Sequence, residues 1–268
     1  MKDLLIESLR LSGKILMQYF NRPIETRLKE SQSSIVTEAD LASDSMIVKF
    51  IGKRYPEHNI ISEESGFKNH NSRYTWIIDP LDGTSNFAAG IPWFGVLISL
   101  FENNIPVMGG AYLPVFDLLY FAEREKGAFR NNEHLIIEKK GLKESLIAFS
   151  IDYTDDEAFL DKGIYLYKYI IKNSRNIRST NSLIDFIYVA EGKFGGCINL
   201  YTKVWDISAL GLIISEAGGI MNDINGKNIK FTINNNLINR NFPVVAGSRE
   251  VVISLKKVLH RTFVNSRS

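Results

Sequence analysis

The stretch WIIDPLDGTSNF, Trp76 to Phe87, decides how this chain is read. Its apolar opening, Trp76-Ile77-Ile78, has the character of a strand leaving a core, and it stops at Asp79. Pro80 fixes a backbone dihedral and turns the chain, so Asp82 can return toward the point where Asp79 emerges. Two carboxylates brought together repel unless a cation lies between them. Hard oxygen donors without histidine or thiol favour Mg²⁺ or Mn²⁺. Gly83 lets the backbone approach a ligand, and Thr84-Ser85-Asn86 look like the start of a helix, where exposed amides bind phosphate oxygens. Standing alone, the fragment reads equally well as a turn with surface aspartates in which Asp82 merely caps a helix.

Further acids stand in similar places. IISEESG sets Glu63 and Glu64 at the end of another apolar run, where the plain alternative is a surface loop, above all for Glu64. KVWDISALGLIISEAGG puts Asp206 just before a hydrophobic helix, and aspartate is a favoured helix N-cap. Thr37 and Asp40 in VTEAD have the spacing of a capping pair. None of these local roles explains why each acid sits where an apolar strand meets a helix or turn.

The totals exclude several classes. The chain has 268 residues, 45% hydrophobic and 23% charged, which suits one large domain or two intimately packed halves. A net charge of +2 gives no basic excess for nucleic-acid binding, and KNSRNIR, Lys172 to Arg178, reads as a solvated helix end. The single cysteine, Cys197, rules out an intramolecular disulfide and a cysteine-built zinc site, and its apolar surroundings predict burial. The first segment is broken by Asp3, Glu7, Arg10 and Lys14, so it lacks the apolar core of a secretion signal. No run reaches the ~20 apolar residues of a membrane helix. The expected address is the cytoplasm.

Periodicity predicts a mixed α/β chain of layered helices and sheets. Leu5, Leu9, Leu16 and Phe20, with Ile6, Gly13 and Met17, mark one face of an opening helix. SSIVTEAD is extended, and a second helix runs from about Ala39 to Arg54 with Leu41, Ile47, Val48 and Ile51 inward. Strands follow at NIIS, YTWIID, GVLISLF, VMGGAYL, DLLYFA and KGAFRNN. SLIAFSI opens the second half, with helices at about 156–173, 181–191 and 207–217, a strand at GGCINL, a glycine cap at Gly218-Gly219, and a strand and helix to close. The expectation is one domain, 1–268, with subdomains of about 1–144 and 145–268.

In order and spacing, VTEAD, SEESG, IIDPLDGTSNF and VWDISALGLIISEAGG resemble the successive motifs of the inositol monophosphatase family, Mg²⁺-dependent and lithium-sensitive phosphatases. The likeness covers nearly the whole chain. It implies the layered α-β-α-β-α sandwich shared with fructose-1,6-bisphosphatases. It also implies metal ligation by Glu63, Asp79, Asp82, Asp206 and the Leu81 carbonyl, holding two or three Mg²⁺ ions, or Mn²⁺. Asp40 and Thr84, with Glu63, would position and activate the attacking water, and the Gly83 and Thr84 amides would hold the phosphate. Direct in-line attack by water is expected, without a phospho-enzyme; His58, His70, His134 and His260 lie outside every motif. Asp82, Asn199 and Asp206 would face the substrate. Where the family carries an acid, this chain has Asn199, a weaker hydroxyl acceptor. Its substrate-bordering stretch is NSLI, Asn181 to Ile184, whose Leu183 is expected to narrow the pocket.

Inositol 1-phosphate or a similar polyol phosphate is the leading expectation. Adenosine 3',5'-bisphosphate, fructose 1,6-bisphosphate and histidinol phosphate are the alternatives within the family, and VAEGK, Val189 to Lys193, has a flavour of the nucleotide branch. The resemblance further implies a homodimer. Some bacterial relatives act by binding the transcription machinery, which makes a non-enzymatic binding role the alternative of another class.

Overall fold

The computed structural model describes residues 1–29 and 34–263. Ser33 of the expected extended piece lies outside them; Ile35–Thr37 forms a strand, β2, antiparallel to β1, Thr26–Leu28. Helix α1, Lys2–Tyr19, precedes these strands and α2, Glu38–Arg54, follows them.

An eight-stranded sheet is built from β3 Asn59–Ser62, β4 Gly66–Lys68, β5 Tyr74–Asp82, β6 Gly95–Glu102, β7 Ile105–Leu113, β8 Leu118–Glu123, β9 Ala128–Arg130 and β10 Glu133–His134. The spatial order is β10-β9-β8-β7-β6-β5-β3-β4, antiparallel from β10 to β5. Strands β3 and β5 are parallel, so Glu63 and Asp79 emerge at the same end of the sheet. A short helix α3, Thr84–Ala88, follows β5. The second half gives a five-stranded sheet of β11 Leu146–Ser150, β12 Asn176–Arg178, β13 Gly196–Asn199, β14 Ile220–Asp223 and β15 Val244–Gly247, in the order β12-β11-β13-β15-β14. Its helices are α4 Glu157–Asn173, α5 Leu183–Ala190, α6 Val204–Glu216 and α7 Arg249–Phe263.

Strand alternation assembles the layers. Trp76 and Ile78 face α1 and α2, whereas Ile77 between them faces α5 and α6. In the second sheet Ala148, Cys197 and Ala246 face that same middle layer, and Ile147, Phe149, Ile198 and Val245 face α4 and α7. The result is the expected α-β-α-β-α order. Each large apolar side chain fully buried there contributes about 1.5–3 kcal/mol. Helix α6 lies close on the first sheet: a Cβ on Gly109 would stand 2.9 Å from the Ala209 carbonyl oxygen. Ser99 and Ser208 share a buried 2.7 Å hydrogen bond across that contact.

Several expectations need correcting. Leu41 and Met17 are exposed, and the inward face of α2 carries Asp40, Ser43 and Asp44 with Ile47, Val48 and Ile51. The first turns of α2 meet the Ser12, Ser62 and Thr84 hydroxyls and the Pro80 carbonyl, which an apolar-period argument cannot see. Phe20 lies beyond the end of α1 and packs on Phe94, with ring centroids 4.8 Å apart. Lys172 to Arg178 is not only a helix end, since its last three residues form edge strand β12. Gly218 does cap α6 with φ +91°, and Gly219 N–H reaches the Ile214 carbonyl at 2.9 Å. Among the described residues no helix is long and apolar enough to cross a membrane.

Candidate active site

A pocket of about 620 Å³ opens where the two sheets' loops meet. Its inner wall holds Glu63, Asp79, Leu81, Asp82, Gly83, Thr84 and Asp206. One carboxylate oxygen from each of Asp79, Asp82 and Asp206 lies within 4.8 Å of the others.

Each of these acids is fixed by a backbone amide. Pro80 interrupts the β5–β6 ladder between Asp79 and Asp82, giving a register shift that turns both side chains to one side. Leu81 N–H donates to Asp79 Oδ1 at 3.0 Å, and the Ser43 hydroxyl donates to the Pro80 carbonyl at 2.8 Å. Asp82 does act as a helix-terminal acceptor, but for a remote helix: Leu183 N–H at the start of α5 donates to its Oδ1 at 2.6 Å. Asp206 is not an N-cap. The helix begins at Val204, so Asp206 falls in the first turn and accepts Lys203 N–H at 2.7 Å.

Asp40 serves the cap of α2 and Thr84 at once. Its Oδ2 takes the Thr37 N–H at 2.8 Å and the Thr37 hydroxyl at 2.6 Å, a capping box for α2. Its Oδ1 takes the Thr84 hydroxyl at 3.0 Å. Thr84 Oγ1 is also 3.0 Å from the Leu81 carbonyl, so its single proton has two competing acceptors. Gly83, at φ +85°, bends the chain into α3; a Cβ there would stand 2.6 Å from the Trp93 carbonyl oxygen.

Lys29 was not legible in the sequence, standing in the featureless polar run TRLKES. Its ammonium pairs with Glu63 at 2.8 Å and with Glu64, whose side chain is 8% exposed. Glu64 is therefore not a surface-loop residue. Burial works against the Lys29 charge, but the two carboxylates outweigh it and hold its pKa above the ordinary value.

The acids are under electrostatic strain. Burial, then the charges of Glu63, Asp82 and Asp206, push Asp79 well above the usual carboxylate range. Burial and the charges of Asp82 and Glu63 do the same to Asp206. Asp82 is raised to about 7, by burial first, with the Leu183 N–H opposing. Burial raises Glu63 and Asp40 as well, against the pull of Lys29 on one and of the Thr37 bonds on the other. Unit charges about 5 Å apart in a partly wet site repel by about 3 kcal/mol per pair. A cation among them reverses that sign. The donors are carboxylates with a main-chain carbonyl, and among the described residues no histidine or cysteine lines the pocket, so the set fits Mg²⁺ or Mn²⁺.

The outer wall comes from the second half: Asp152, Tyr153, Thr154, Asp155, Asn181, Ser182, Asn199 and Tyr201. Asn199 does face the pocket, with its Oδ1 taken by Tyr201 N–H at 2.9 Å. Leu183 does not narrow it: the side chain is fully buried in the middle layer against the first sheet, and only its amide serves the site. No residue of VAEGK lines the pocket. Glu191 is engaged instead with Tyr120 and Arg130, at 2.9 Å each. That stretch therefore carries no information about the substrate.

A model of the inositol monophosphatase family matches residues 1–268. The Nus factor SuhB of Pasteurella multocida is 34% identical over 231 residues, 84% of this chain and 86% of that protein. A fructose-1,6-bisphosphatase/inositol-1-monophosphatase of Aquifex aeolicus is 32% identical over 213 residues, covering 78% and 80%. Among solved structures, an IMPase of Thermotoga maritima superposes with a TM-score of 0.84 at 29% identity over 97% of this chain and 96% of that one. The motifs, the layered fold and these likenesses agree: the chain belongs to the inositol monophosphatase family.

Proposed function

We propose that this protein hydrolyses the phosphate monoester of a small polyol, with inositol 1-phosphate the favoured substrate, in a Mg²⁺-dependent and lithium-sensitive reaction. The observation that carries this is the meeting of Glu63, Asp79, Asp82 and Asp206, from three separate segments, beside the Asp40–Thr84 pair. Those four carboxylates and the Leu81 carbonyl would hold Mg²⁺, which supplies neutralising charge to the phosphoryl oxygens and acidifies water. The Gly83 and Thr84 amides cradle the phosphate. With the Thr84 hydroxyl donating a hydrogen bond to Asp40, its oxygen is left to accept from the attacking water and aim it at phosphorus, and Glu63 would take up the water's proton. One P–O bond forms as the ester P–O bond breaks in line with it, and the departing alkoxide ends with a proton.

Among the described residues the pocket's ammonium groups are Lys29 and Lys203, and Lys29 is already paired. With Asp152 and Asp155 on the outer wall, a second phosphate would meet negative charge. That favours a neutral, hydroxyl-bearing leaving group over a bisphosphate. Phosphate release from inositol 1-phosphate, adenosine 3',5'-bisphosphate, fructose 1,6-bisphosphate and histidinol phosphate tests this. Turnover should be fastest with the first and should vanish with EDTA; no release from any of them at millimolar Mg²⁺ sinks the reading. A homodimer, expected on family grounds, is checked by light scattering.

The likeness to a Nus factor favours a second reading, a binding role in the transcription machinery. Pull-down with RNA polymerase and elongation factors, comparing wild type with Asp79→Asn, decides it; no association at modest salt removes it.

A further inference from the structure

The outer half of the pocket must recognise whatever carries the phosphate, and its hydrogen-bonding groups are mostly spoken for. Asn199 already has its carbonyl oxygen on Tyr201 N–H, while its amide N–H₂, a donor, has no partner among the described residues. Asn241 is committed at both ends, accepting from Thr202 N–H and donating to the Leu200 carbonyl. The Thr154 hydroxyl oxygen accepts from Asp156 N–H and from the Tyr201 hydroxyl. The Tyr153 hydroxyl is given to Asp155.

Asp152 is different. Its Oδ1 accepts the Asn181 side-chain amide at 2.6 Å, and that amide is presented by a residue in the left-handed region, φ +50°. Among the described residues its Oδ2 accepts nothing. The side chain is half-buried on the pocket wall, close enough to Asp206 for the two charges to repel. The free carboxylate and amide oxygens elsewhere on this wall, on Asp155, Asn181 and Asn239, belong to exposed side chains.

A hydroxyl group needs an acceptor for its proton and can take a donor on its oxygen. We propose that Asp152 is the specificity-determining residue: its Oδ2 accepts the proton of a substrate hydroxyl near the ester, beside the donor amide of Asn199. This rests on the polyol-phosphatase reading above. It commits the site to leaving groups with a free hydroxyl near the ester oxygen. A charged acceptor makes a strong hydrogen bond with such a group, and its loss is read directly in affinity.

Asp152→Asn keeps the shape and the oxygen that Asn181 holds, and removes the charge. Kinetics with inositol 1-phosphate and with p-nitrophenyl phosphate, which has no hydroxyl, separate recognition from chemistry. The expected result is a KM about tenfold higher for inositol 1-phosphate, with kcat within about twofold and p-nitrophenyl phosphate unaffected. Asp152→Glu should recover part of the loss. An unchanged KM for inositol 1-phosphate, or an equal loss on both esters, overturns the assignment. If wild type hydrolyses neither ester, the polyol-phosphatase reading falls. Titration calorimetry of the same two proteins with inositol 1-phosphate, then free of turnover, decides the inference alone: a Kd about tenfold weaker for Asp152→Asn supports it, and equal Kd values overturn it.

Discussion

The floor and the rim of the pocket are held by different kinds of bond. On the floor, Asp79, Asp82, Asp206 and Asp40 each accept a main-chain N–H, from Leu81, Leu183, Lys203 and Thr37. Strand ends and helix starts fix those amides, so the carboxylates cannot drift. At the rim the acids are held by side chains instead, Asp152 by Asn181 and Asp155 by Tyr153. Groups that must meet developing charge gain from being fixed before the substrate arrives. Groups that choose a substrate sit on loops, where exchange of residues leaves the scaffold intact.

The largest expected effect comes from Asp79→Asn. Disturbing an outer-shell partner of a metal ligand typically lowers activity 10–100-fold, so neutralising a ligand should lower kcat by more than about 100-fold. Stability should move the other way. Asp79 is buried among Glu63, Asp82 and Asp206, and removing its charge relieves their repulsion in metal-free protein. A Tm rise of about 2–4 °C, the response to about 1 kcal/mol in a chain this size, is expected without Mg²⁺. Mg²⁺ should then raise the Tm of the variant less than that of wild type. Near-normal turnover at saturating Mg²⁺ would show that the floor has been misassigned.

Gly83→Ala should come next, because it strains the floor without changing its charge. Alanine at φ +85° is strained, and its Cβ would press to 2.6 Å from the Trp93 carbonyl. A loss of about 1–3 kcal/mol is expected from chemical denaturation. Turnover should fall about tenfold or more as the amides of residues 83 and 84 shift away from the phosphate. If stability falls but kcat does not, the loop is a fold element and not a cradle.

The same contrast explains what could be read from residues alone. The floor was legible because Asp79, Asp82, Gly83 and Thr84 share six residues, and because Asp40, Glu63 and Asp206 each stand at a junction between an apolar element and a helix or turn. Its roles were still blurred where one acid serves two ends: Asp40 caps α2 and meets Thr84, and Asp82 caps α5 from across the pocket. Lys29 and Asp152 were invisible because nothing nearby in sequence needs them; their partners lie 34 and 29 residues away. Strands β12 and β14 were missed for a related reason. Both are edge strands, and neither is a buried apolar run: β12 reads exposed-intermediate-exposed and β14 is intermediate throughout. Leu41 misled in the opposite sense, an apolar residue left outside because the inner face of α2 is partly polar.

The finest test lies where floor and rim touch. Asn86, in the helix that begins with the phosphate loop, donates its side-chain amide to the Trp93 carbonyl and to the Thr180 carbonyl, at 3.1 Å each. The second bond crosses from the first half of the chain to the segment that carries Asn181, and through it Asp152. Asn86→Ala removes that tie while leaving Asp79, Asp82, Asp206 and Asp40 with their backbone donors. One partly exposed hydrogen bond is worth about 1 kcal/mol, so a rise of about fivefold in KM for inositol 1-phosphate is expected, with kcat nearly unchanged. A fall in kcat instead would mean that Asn86 steadies the phosphate loop through Trp93. The floor would then not be independent of the side-chain bonds that build the rim.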